Sequence, residues 1–103
     1  MKQREYTQEE VQEMFLDKVR TMIDYWNNVE KETTKDKLEG LAHSILATID
    51  GSAADLPAFK LAPNPHPGDK EYCIDEGENY FPDNYHLVTN CNISGSLHEQ
   101  LFK

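Results

Sequence analysis

Thr7-Gln8-Glu9-Glu10-Val11-Gln12-Glu13-Met14-Phe15-Leu16-Asp17-Lys18-Val19-Arg20-Thr21-Met22-Ile23-Asp24-Tyr25-Trp26-Asn27-Asn28-Val29 is the stretch that decides the fold. Its first four residues have the T-x-x-E form of a capping box, in which a hydroxyl and a carboxylate each satisfy an orphan backbone amide. Tyr6 and Val11 are placed to close a hydrophobic staple across that box. A helix over about residues 8–31 follows. At 100° per residue its apolar side chains, from Val11 to Val29, cover an arc of about 200°, where packing on one neighbour needs only a ~100° stripe. Glu13, Asp17, Arg20, Asp24, Asn27 and Asn28 fill the remainder. The excess width predicts two partners for this helix: the C-terminal half of the same chain, and a second subunit meeting Leu16 and Ile23.

Downstream, Thr33 supplies another N-cap, and Asp36 puts a carboxylate in the first turn, where the helix dipole favours it. Leu38, Leu41, Ala42, Ile45, Leu46 and Ile49 keep the helical period on a stripe of about 140°. Asp50-Gly51 ends this helix, over about 34–50, because Gly51 accepts the left-handed C′ conformation. The short link between the two helices predicts an antiparallel hairpin. Gly40, Ser44 and Ala47 form a small-residue flank. Glycine costs about 1 kcal/mol relative to alanine inside a helix, so Gly40 predicts a close approach by another helix or by a ligand. His43 sits at the edge of the apolar stripe, where an imidazole packs its ring and hydrogen-bonds at its tip.

Beyond Ser52 the texture changes. Pro57, Pro63, Pro65 and Pro67 interrupt any hydrogen-bonded ladder and enforce extended backbone. Phe59 and Leu61 alternate around Lys60, as in a very short edge strand or an apolar tether laid over the hairpin. Asp69 is positioned to cap a short helical segment through Ile74 that stops at Gly77. Residues 78–85 read as a turn-rich aromatic loop, and His86 to Thr89 as a brief strand. Ser96-Leu97-His98-Glu99 repeats the capping-box pattern, predicting a last helix over about 97–102 that docks through Leu97, Leu101 and Phe102. The whole is a single domain, 1–103, of mainly α or α+β class. In it an N-terminal helical hairpin is covered by an irregular, proline-rich C-terminal half, 51–95, with short helical turns.

Composition narrows the function classes. Ten Lys and Arg against 19 Asp and Glu give a formal charge of −9, so the cationic footprint needed to neutralise phosphates is missing. Direct nucleic-acid binding and anionic membranes are disfavoured; a basic protein partner is compatible. No apolar run reaches the ~18 residues of a membrane span, and the polar start carries no signal-peptide core. A reducing cytoplasmic setting follows, with Cys73 and Cys91 as free thiols. Phosphate loops, nucleophile elbows, dinucleotide fingerprints and H-E-x-x-H are all absent from the sequence.

The remaining chemistry lies on constrained loops. His66 sits between Pro65 and Pro67 with Asp69 and Lys70 close behind, a stiff stretch that presents its side chains at little ordering cost. Glu78, Asn79 and Tyr80 set carboxylate and amide groups beside an aromatic face. With His98 from the last helix they form the candidate site for a small molecule or a protein partner: His66, Asp69, Lys70, Glu78, Asn79, Tyr80 and His98. The expected activity is non-catalytic binding by a homo-oligomer, without catalytic residues, cofactor or metal. A competing reading is an acidic inhibitor that mimics nucleic acid and blocks a basic partner. A third is a small metal-assisted hydrolase, should His66, His98 and a carboxylate converge.

Gly40-Leu41-Ala42-His43-Ser44-Ile45-Leu46, Asp50-Gly51, Leu56-Pro57-Ala58-Phe59, Pro65-His66-Pro67, Gly77-Glu78-Asn79-Tyr80 and Ser96-Leu97-His98-Glu99 together resemble a group of small bacterial and phage-associated proteins with no established activity. The resemblance covers roughly the last two-thirds of the chain. It implies a bacterial or mobile-element origin and no catalytic residue.

Overall fold

The first helix starts where the sequence places its cap. In the computed structural model, which describes residues 3–83 and 91–103, helix α1 spans Gln8–Asn28. The Glu10 amide donates to Thr7 Oγ1 at 3.1 Å and the Thr7 amide to Glu10 Oε1 at 2.9 Å, completing the capping box. Arg4 grips the same carboxylate with both terminal nitrogens, at 2.7 and 2.8 Å. That guanidinium, reinforced by the Thr7 amide, holds the Glu10 carboxyl down at about 2. Tyr6 is exposed beside the cap. The helix stops at Asn28, short of the expected 31: Lys31 turns the chain through a left-handed φ of 67°.

Helix α2, Thr34–Ile49, is capped by Thr33, whose hydroxyl accepts the Asp36 amide at 3.1 Å. It packs against α1 as the hairpin predicted from the short link. The Gly40 expectation is met by one side chain: the Trp26 ring of α1 lies so close that a Cβ on Gly40 would fall 2.5 Å from it. Trp26 Nε1 donates to Ser44 Oγ at 3.0 Å, and Ser44 Oγ donates to the Gly40 carbonyl at 2.8 Å. The small flank of α2 is therefore filled by an indole that is both packed and hydrogen-bonded, which leaves no space there for a ligand.

Gly51, at φ +95°, ends α2 and turns the chain back along it. A side chain there would meet Ala58 at 2.7 Å as well as the positive φ, so glycine is required twice over. The returning strap runs over α1 and α2. Lys18 bonds Asp55 at 2.8 Å, Leu56 is buried, the Phe59 amide donates to the Ile49 carbonyl at 2.9 Å, and the Phe59 ring meets Phe15 edge-on at 5.4 Å. Of the two readings of Phe59 to Leu61, the tether is the one observed: the described residues are helical and contain no strand.

Helix α3 spans Asp69–Asp75 and α4 spans Leu97–Gln100. Two cap assignments change. Gly68, without a side-chain bond, occupies the N-cap of α3, and Asp69 lies one position inside, accepting the His66 amide at 3.1 Å. Ser96 makes no side-chain cap bond to α4 because another residue has taken those amides. The strand expected over His86 to Thr89, and Tyr85 of the aromatic loop, lie outside the described residues. Among the described residues no helix is long and apolar enough to cross a membrane.

The outcome is a slab. Its extents are 53 × 47 × 19 Å, and its radius of gyration is 17.8 Å where a compact chain of this length gives about 13 Å. The thin dimension is under two helix diameters of about 10–12 Å each. Among the described residues only Leu56 and Thr48 are buried, and α1 buries none of its side chains.

Gly40→Ala tests the Trp26 contact. Helix propensity alone would stabilise the variant by up to about 1 kcal/mol, whereas overpacking against the indole costs typically 1–3 kcal/mol. Net destabilisation in urea unfolding followed by Trp26 fluorescence is the expected result; a more stable variant would contradict the packing.

Candidate functional site

The taker of the α4 amides is Asp50. This residue ends α2, and its side chain is 1% exposed. Its Oδ1 accepts the Gly95 amide at 2.6 Å, and its Oδ2 accepts the His98 amide at 2.8 Å and the His98 ring Nδ1 at 2.6 Å. A carboxylate only accepts, so Nδ1 carries the proton. Burial alone would raise the Asp50 carboxyl, but the His98 ring and the amides of His98, Gly95 and Leu97 outweigh it and hold it far below the usual carboxylate range. The bond joins residues 48 apart in sequence and fastens the C-terminal segment to α2.

An imidazole held by a carboxylate is the base half of a nucleophilic triad. Here the outer nitrogen, Nε2, lies 3.8 Å from Glu99, and the ring is covered edge-on by His43 at 5.4 Å. The arrangement ties the C-terminal segment to the end of α2. Among the described residues no group of three His, Cys, Asp or Glu side chains is placed to hold a metal ion.

The other candidate residues lie in a separate excursion. Its base is closed where the Ile93 amide donates to the Leu61 carbonyl at 2.8 Å and the Leu61 amide to Asn92 Oδ1 at 2.9 Å. Ser94 Oγ adds a bond to the Phe59 carbonyl at 2.5 Å. Within the excursion His66 and Asp69 form one turn: the Asp69 amide returns a 2.9 Å bond to the His66 carbonyl, and His66 Nδ1 accepts the Gly68 amide at 3.3 Å. Lys70 stands over the Tyr80 ring at 5.4 Å, and the Glu78 amide closes the end of α3 on the Cys73 carbonyl at 2.8 Å. Asn79 is exposed. A shallow groove of about 280 Å³ runs between Pro63, Asn64, Pro65, Asp69 and Phe81. So His66 and Asp69 are brought together, as are Lys70 and Tyr80, while His98 is held by Asp50 instead.

A third feature lies along α1. Val11, Gln12, Phe15 and Leu16, with Ile49, Phe59, Lys60 and Leu61 opposite, line an open, almost wholly apolar groove of about 390 Å³. Farther along, Ile23, Trp26 and Asn27 line a second groove of about 320 Å³ with Leu38 and Leu41 of α2. Leu16 and Ile23, two turns apart on one edge of the helix, join the two into a strip about 24 Å long, at 1.5 Å per residue from Val11 to Asn27.

No protein-family model, curated protein or solved structure matches the chain. The site is therefore interpreted from its own geometry. Sequence reasoning found the Leu16–Ile23 edge through the width of its arc but missed Asp50, which resembled an ordinary Asp-Gly helix stop.

Replacing Asp50 by Asn removes the charged acceptor. Hydrogen exchange at the Gly95 and His98 amides is expected to quicken at least about tenfold while α1 and α2 keep their protection. The pH dependence follows from the depressed carboxyl. Its stabilisation is complete above the unfolded value near 4 and is lost as pH falls through the lower folded value. Acid titration of the native protein should release these two amides only below about pH 4, and the variant should lack that step.

Proposed function

We propose that the protein is a non-catalytic, cytoplasmic binding protein that works as a homo-oligomer, with the Leu16–Ile23 edge of α1 as its subunit contact. The observation that carries this reading is the unmatched apolar surface of α1. The chain exposes 8473 Å², where a monomer of its mass exposes about 6,000 Å². That surplus is polar and apolar surface of the whole thin slab; the part that bears on association is the exposed edge of α1, Leu16 at 37% and Ile23 at 48%.

In this reading the loops at 64–80 are the recognition surface. His66 and Asp69 are pre-set by their mutual bonds, and Lys70 and Tyr80 by their stacking, so little side-chain freedom is lost when a partner arrives. The groove beside them is shallow, which suits a protein surface better than an enclosed small molecule. In the assembled state the irregular, proline-rich half completes the cover of the hairpin.

Leu16→Glu combined with Ile23→Glu is the direct test. Both side chains are exposed within the chain, Ile23 at 48%, so the variant keeps its own fold. Native mass spectrometry is expected to show oligomer for the native protein and monomer for the double variant. A native protein that stays monomeric at high concentration would refute the reading.

A further inference from the structure

We draw no further inference here: the strongest candidate, the open apolar groove between α1 and the strap at Phe59 and Leu61, carries nothing because nothing in the structure shows what covers it.

Discussion

The carboxylate of Asp50 is the interaction on which the rest of the molecule depends. It stands at the point where the regular half of the chain ends, and it gathers amides from Gly95, Leu97 and His98 together with the His98 ring. One buried charge thereby stands in for the side-chain cap that Ser96 fails to provide, and it fixes where the excursion must return. It acts with the Ser94 bond to the Phe59 carbonyl and the Ile93 bond to the Leu61 carbonyl, which tie the same segment to the strap. Burying the charge is costly, and donors on three residues of the C-terminal segment, Gly95, Leu97 and His98, offset that cost.

The helices were legible in the sequence because their determinants are local. Thr7 and Glu10 act within one turn, Thr33 and Asp36 likewise, and the arc of α1 needs only its own residues. Gly40 announced a close approach, though not that the intruder would be Trp26 rather than a backbone. The Asp50–His98 bond was illegible for the opposite reason: it spans 48 residues, and each partner alone resembles a routine helix terminus. Ser96 shows the same limit, since its motif matches a capping box but its backbone, at φ −141° and ψ 21°, does not present the hydroxyl. Of the candidate site, the stiffness of the Pro65-His66-Pro67 stretch was readable, but local pattern assigned Asp69 the cap of α3, whereas it closes a turn on His66 instead. The separation of His98 from that group was not readable, because no local pattern encodes which end of α2 the C-terminus will meet.

The two halves of the chain use different means of fixing shape. The hairpin relies on an indole seated on glycine and serine, whereas the stretch from Pro63 to Pro67 relies on backbone restriction by proline. The first buries surface and the second leaves it exposed. A chain that builds rigidity without burial has its parts in position before contact, and association then costs little further ordering.

The 19 Å thickness of the slab bears on how the protein comes to be folded at all. With so little interior per chain, the proposed oligomer would add to the stability of the folded chain by mass action. The melting temperature should climb with protein concentration. Abundance would then set part of the margin by which each folded chain resists unfolding.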